Sequence, residues 1–337
     1  MRFHIHIVPL FICSFLSLGC AAANVAAISD DSSMPVLKPQ AAEKDAYAVE
    51  SSILGVATTE KRIVAVGDRG AVLLSDDNGT SFRQARTVPV RTALTDVYFV
   101  DNLHGWIVGQ WGVILNTIDG GETWAIQRID TSNDRPIFSV YFKDSDHGFA
   151  VGLWALLLET HDGGRHWTEA KIPRPAGRSV EQDLNFFKIF SGPGPAIYIS
   201  AEHGFVLKSV NDGQSWEYHE TGFKGSFWSG AANTDGTVLV SGLRGAIYRS
   251  TDHGITWTRS TSAVTSSITS VLAGRKFFYS VTLDGATLVS KDDGVSFEAT
   301  QQVAPNSLTT LGLSPDRHVL EFSTAGPVAP NSALVDK

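Results

Sequence analysis

Val108–Trp124 reads VGQWGVILNTIDGGETW. A Val-Gly pair ends one apolar run, a short turn follows, and a second apolar run leads into an acidic, Gly-containing turn closed by an aromatic. The same order returns five more times. The acidic turns are SDDNGTSF (Ser75–Phe82), TIDGGETW (Thr117–Trp124), THDGGRHW (Thr160–Trp167), SVNDGQSW (Ser209–Trp216), STDHGITW (Ser250–Trp257) and SKDDGVSF (Ser290–Phe297). Their closing aromatics lie 42, 43, 49, 41 and 40 residues apart. A period of about 40–45 residues is the length of one four-stranded propeller blade.

Each repeat also carries an earlier turn: VGDRGAVL, VGQWGVIL, VGLWALLL, SAEHGFVL, SGLRGAIY and VTLDGATL. Ahead of it stands a β-branched or aromatic run such as Thr95–Phe99 or Ile137–Phe142, a strand signal. The unit is four strands: an apolar inner strand, a second ending in Val-Gly, a third ending at the acidic turn, and a fourth opening with the aromatic. In the acidic turn, Ser/Thr and Asp side chains bond the turn's own backbone, and Gly takes a positive φ. The aromatic is expected to bury between blades. A seventh unit follows without an acidic turn, in Ser307–Leu313, His318–Ser323 and Gly326–Val328. The expected fold is an all-β, seven-bladed propeller over residues 51–330, with six blades as the alternative and a tail at 331–337. Residues 24–50 read as a polar tether or a closing strand, with Tyr47–Ile53 as the candidate edge for the last blade.

Gly is abundant at 31 of 337 residues and 43% of the chain is hydrophobic, as suits a turn-rich globular protein. The net charge of −8 argues against general nucleic-acid binding. Arg2, the apolar run Ile5–Leu18 and the small residues after it read as an export signal over residues 1–23. Two exits stay open: cleavage after Ala23, or lipid anchoring through Cys20. Cys13 and Cys20 are the two cysteines, so the mature domain is expected to carry neither a disulfide nor thiolate chemistry.

The acidic turns resemble the Asp-box (BNR) repeats of sialidases, sortilin-type receptors and exported propellers. More narrowly, His104-Gly105-Trp106 followed by Val108-Gly109 and an Asp box resembles the photosystem II stability/assembly factor family. That resemblance implies a seven-bladed, exported, non-enzymatic protein that binds a membrane-protein subunit, with Arg on one face in contact with the partner. It implies a periplasmic location, or the thylakoid lumen in a photosynthetic host. The client and the oligomeric state stay open.

The rival reading is a sialidase-like hydrolase or a glycan-binding propeller, since fold alone does not exclude chemistry. The Phe-Arg-Ile-Pro motif of sialidases is absent; residues 134–137 only shuffle its letters. Glu181 and Asp183, in the longest interblade insertion, are a candidate carboxylate pair. Metalloprotease, α/β-hydrolase and phosphate-loop motifs are missing, and Asp144–Gly148 lacks the closing glutamate of a calcium loop. His104 and His147 read as turn residues. No catalytic residue, metal or cofactor is expected.

Antiparallel blades sort their loops by face. Turns between second and third strands share a face with the interblade connections, and Asp boxes lie on the other. The first set varies two residues per blade: Asp68-Arg69, Gln110-Trp111, Leu153-Trp154, Glu202-His203, Leu243-Arg244 and Leu283-Asp284. The connections add Arg86, Arg91, Arg128, Arg135, Lys171, Arg174, Arg178, Lys224, Phe227 and Trp228. Arg and Trp dominate protein–protein hot spots, so the candidate partner-binding set is Arg69, Arg91, Trp111, Arg135, Trp154, Arg174, Arg178 and Arg244. The alternative is that Trp111 and Trp154 turn inward to plug the central channel while the arginines are a scattered solvated face.

Overall fold

The structure, a computed structural model, describes residues 38–133, 135–173, 184–274, 277–301 and 306–329. The export signal, Cys20, Glu181 and Asp183, Arg174 and Arg178, and the tail at 331–337 lie outside the described residues.

Seven sheets follow one another along the chain, built from consecutive antiparallel strands; the sixth gains a fifth, parallel strand, Thr261–Ser262, beside Ser296–Gln301. The blade containing the opening motif shows the pattern. Its inner strand is β1 (Leu94–Phe99), β2 (Gly105–Gly109) ends in Val-Gly, β3 (Ile114–Thr117) ends on the first Asp-box residue, and β4 (Ala125–Arg128) follows Trp124. Blade 2 is this sheet; blades 1 and 3–7 have inner strands Ile53–Thr58, Ile137–Phe142, Phe186–Ser191, Phe227–Ala232, Ile268–Ala273 and Leu308–Leu313. Each inner strand packs beside the next, and that of blade 7 packs beside that of blade 1, so the ring closes on seven blades.

The second strand of every blade is buried at all five residues. It is covered on both faces by neighbouring blades, which is why it reads as a continuous apolar run and not as alternation. The core divides accordingly into seven apolar clusters, one at each seam between blades. Each Asp-box aromatic faces the preceding blade: Trp124 packs with blade 1, Trp167 with blade 2, Trp216 with blade 3, Trp257 with blade 4 and Phe297 with blade 5, while Phe82 packs with blade 7. The 6/7 seam receives no such ring, because blade 7 has no Asp box.

The Asp box is a closed hydrogen-bond circuit. Thr117 Oγ1 donates to Asp119 Oδ1 (2.8 Å) and accepts from Gly121 N (3.0 Å), while Thr123 donates from N (2.9 Å) and Oγ1 (2.6 Å) to the same carboxylate. Gly121 sits at φ +89°, a conformation other residues resist. Blade 4 runs the same circuit with Asn211 in place of Asp.

Blade 7 has three strands, Leu308–Leu313, Val319–Ser323 and Gly326–Pro327. The expected closing strand at Tyr47–Ile53 is not formed: Ala48–Glu50 is a single 3₁₀ turn, and Ile53 already opens the inner strand of blade 1. The turn packs on the end of blade 7: the Val49 carbonyl lies so near Gly326 (φ +100°) that a Cβ there would be 2.0 Å from it. Instead, the segment before Ser51 straps the outer edge of blade 1. Ala42 N donates to Val88 O (3.0 Å), Lys44 reaches the Ala85 carbonyl, and Asp45 N donates to Gln84 Oε1 (3.0 Å).

Every inner strand skips its second residue in register, a β-bulge repeated seven times. The skipped residues, Leu54, Thr95, Phe138, Phe187, Trp228, Thr269 and Thr309, all line the central cavity of about 480 Å³. The next residue of several of these strands stitches the ring. Ser229 Oγ accepts from Val271 N (3.0 Å) and Ser270 Oγ from Leu311 N (3.3 Å), and in blade 2 the buried Asp96 accepts from Val140 N (3.2 Å).

Candidate functional site

The variable turns and the interblade connections do share one face. Gly70 N donates to Thr92 O (2.8 Å), Asp130 N to Trp111 O (2.9 Å), Ala155 N to Leu184 O (2.8 Å) and Gly204 N to Gly225 O (2.7 Å), each joining a variable turn to a connection. On the other face, the Asp boxes bond the turns between first and second strands: Gly120 N to Leu103 O (3.0 Å) and Gly163 N to Asp146 O (2.9 Å).

Five variable turns place a large side chain in the left-handed region: Arg69 (φ 55°), Trp111 (59°), Trp154 (55°), His203 (57°) and Arg244 (57°). The equivalent step in the Asp boxes is taken mostly by residues suited to it, namely Asn78, Gly120, Gly163, Asp212 and Asp293. Bulky residues in this region cost of order 1–3 kcal/mol each, and such outliers concentrate at ligand clamps and functional sites. The face therefore carries strain that the opposite face mostly avoids, His253 (φ 59°) of the blade 5 Asp box being the exception.

The side chains are not equivalent. Arg69 and Arg244 are exposed, and among the described residues their guanidiniums have no acidic partner. Trp154 is 51% exposed and Trp111 is half-buried. Neither Trp lines the central cavity; Trp228 does, beside the stacked pair Phe138–Phe187 (centroids 5.6 Å). Arg91 is paired with Glu43 (2.6 Å) of the N-terminal strap and lies beside Arg69. Arg135 is committed to the fold. It donates to the Leu153 (3.1 Å) and Trp154 (2.9 Å) carbonyls and forms a two-pronged pair with Glu169, which leaves its side chain 23% exposed. Arg128 is similar: it bonds the Gly112 carbonyl and Asp130, and burial pushes its guanidinium below the ordinary value.

Two sequence expectations need correction. Phe227 is wholly buried because it opens the inner strand of blade 5. Arg86 belongs near the other face: the fourth strand of blade 1 is only Arg83–Gln84, so the connection itself climbs blade 2, and Arg86 meets Asp119 of an Asp box (3.8 Å). Lys171 and Lys224 are exposed as expected.

The candidate residues thus gather in two places and one outpost: Arg69 with Arg91 on blade 1, Trp111 and Trp154 with their supporting arginines on blades 2 and 3, and Arg244 on blade 5. Sequence reasoning missed the central ring. Asp96 of blade 2 accepts from Ser139 Oγ of blade 3 (2.6 Å) and from Lys188 Nζ of blade 4 (2.8 Å), tying three blades at one carboxylate. Burial pushes the nearby Tyr98 hydroxyl up to about 12. The third residues of the inner strands, Gly55, Asp96, Ser139, Lys188, Ser229, Ser270 and Thr310, carried the signal in alignment.

Among curated protein sequences none matches. Solved structures do. "YCF48 bound to D1 peptide" superposes with TM-score 0.66 at 18% identity, covering 86% of this chain and 96% of the other. YCF48 from Cyanidioschyzon merolae gives 0.65 at 14% identity over 83% and 95%. A streptogramin B lyase gives 0.68 at 13% identity over 84% and 95%, so the same ring also hosts an enzyme. The sequence profile of the photosynthesis system II assembly factor YCF48 matches residues 84–139 and 127–331, which span blades 2–7. By that match the chain belongs to the YCF48 photosynthesis system II assembly factor family.

Proposed function

We propose that this protein is an exported, non-enzymatic propeller that docks on a subunit of an integral membrane complex through the face of its variable turns. The observation that carries the reading is the set of bulky residues held at positive φ on that face, with Arg69, Trp154 and Arg244 turned to solvent. Large contact area with charge-assisted bonding suits a protein partner, and unpaired guanidiniums suit an acidic segment of it. A family member bound to a D1 peptide supports a membrane-protein segment as the ligand class. The apolar N-terminal run of Ile5–Leu18 supports export.

The test is affinity capture from detergent-solubilised host membranes with mass-spectrometric identification, using wild type and an Arg69→Ala/Trp154→Ala/Arg244→Ala variant. A discrete membrane subunit retained by wild type and lost by the folded variant is the expected result. Turnover of fluorogenic sialosides or glycosides, abolished by Glu181→Gln, would instead make the protein a hydrolase.

A further inference from the structure

On the face opposite the proposed docking surface, the seam between blades 3 and 4 differs from its neighbours. Four other seams are sealed by a side-chain donor aimed at a carbonyl of the next Asp box. Arg62 Nη1 reaches Gly120 O (3.0 Å), Trp106 Nε1 reaches Gly163 O (3.1 Å), Tyr198 Oη reaches His253 O (2.9 Å), and Arg249 Nε reaches Asp293 O. At the 3/4 seam, among the described residues, no donor reaches the corresponding Asp212 carbonyl. Three potential metal ligands stand there instead. His147 leaves the turn before the second strand of blade 3, Glu159 is the penultimate residue of its third strand (Leu156–Thr160), and His161 is the second residue of the Asp box.

Their donor atoms converge. His147 Nε2 lies 3.0 Å and His161 Nε2 3.1 Å from Glu159 Oε1, and all three ligand atoms fall within 4.8 Å of one another. Ligands about 2.0–2.1 Å from a tetrahedral zinc ion are separated by roughly 3.3 Å, so small movements of these side chains would admit an ion. The backbone already fixes two of them: Glu159 pairs with Phe149 in the ladder, and the His147 ring rests on Phe149 (centroids 4.7 Å). The six Asp-box repeats provide an internal control. At the three equivalent positions blade 2 has His104, Asn116 and Ile118, and none of the other repeats assembles a ligand triad.

We infer that His147 Nε2, Glu159 Oε1 and His161 Nε2 form a binding site for a divalent transition ion of the zinc class. Two imidazoles and one carboxylate are a borderline-soft N/O donor set that suits zinc over calcium or magnesium. His161 is 67% exposed, so the fourth coordination position opens to solvent and is free for water or a ligand from another molecule. In the metal-free protein an Nε2–H donates to Glu159; coordination needs the Nε2 lone pair, so the neutral ring then carries its proton on Nδ1.

The experiment is isothermal titration of tag-free, chelator-treated full-length protein with zinc chloride, repeated with Co²⁺ to read its visible absorption. One ion per chain is expected, with tetrahedral Co²⁺ bands. Glu159→Gln and His161→Ala should each weaken binding by at least about tenfold, a loss that even outer-shell changes can produce. His104→Ala, the matching change in blade 2, should leave it unchanged. His161 is largely exposed, so its variant should stay folded, with circular dichroism as the check. Absence of stoichiometric binding, or binding undiminished by His161→Ala in folded protein, would overturn the site.

Discussion

At the scale of single residues, the variable turns oppose stability to recognition. Arg69, Trp154 and Arg244 hold left-handed backbone that glycine adopts without cost. Trp154→Gly or Arg244→Gly is therefore expected to stabilise the fold by about 1 kcal/mol while weakening partner capture. A rise in the urea midpoint at unchanged slope, together with lost capture, would verify it; a fall in the midpoint would mean the side chain is structural. Asp96 predicts the opposite behaviour. Removing its carboxylate strands Lys188, Ser139 Oγ and Val140 N at once, so Asp96→Ala should cost about 3 kcal/mol, near the cost of breaking a buried pair. Thermal melts should show Asp96→Ser to be milder, because Ser fills this place in blades 3, 5 and 6 and in blades 5 and 6 accepts the neighbouring backbone N–H.

At the scale of the element, the internal circuit of the Asp box was legible in the sequence because its bonds are local, between residues two to four apart. Its chemistry also gives a pH dependence. The Ser81 hydroxyl holds the Asp77 carboxyl at about 2, the His166 backbone N–H does so for Asp162, and the Ser296 hydroxyl for Asp292. These carboxyls are harder to protonate folded than unfolded. Their contribution is thus complete above about pH 4 and is lost as pH falls through about 2. The urea midpoint should drop across that window, less steeply in Asp292→Asn, because Asn211 keeps the same circuit in blade 4 without a titrating group. Thr117→Ala should be worse than Asp119→Asn at neutral pH. It leaves the buried Gly121 N–H unpaired, at about 1–3 kcal/mol. What the sequence could not reveal at this scale is which cations are free. Arg135 and Arg69 look alike in the chain, and only folding brings Glu169 to one of them.

At the scale of the whole molecule, the repeat period dictated the ring and the blade count, since each sheet can bury its two faces only against neighbours. The N-terminal strap was not legible, because its bonds to Gln84, Ala85 and Val88 join residues some 40 apart with no pattern linking them. Starting the chain at Ser51 removes the buried Ala48 and exposes the edge of blade 1 that the strap covers. The truncated protein should lose about 1–2 kcal/mol in a denaturant titration yet remain a closed ring. The His147–Glu159–His161 triad was invisible for the same reason: a twelve-residue gap matches no ligand motif until the hairpin folds back on itself.

The missing Asp box of blade 7 sets how the molecule comes apart. Every seam except 6/7 is wedged by an Asp-box ring, and each such ring covers about 150–250 Å². A circular array in which one joint lacks its wedge has a preferred place to open, and blade 7 further ends in a two-residue strand at Gly326–Pro327. Native-state hydrogen exchange should therefore release the amides of Val319–Ser323 ahead of those of Gly148–Gly152 in blade 3. The blades that carry Trp111, Trp154 and the histidine triad lie away from this weakest joint.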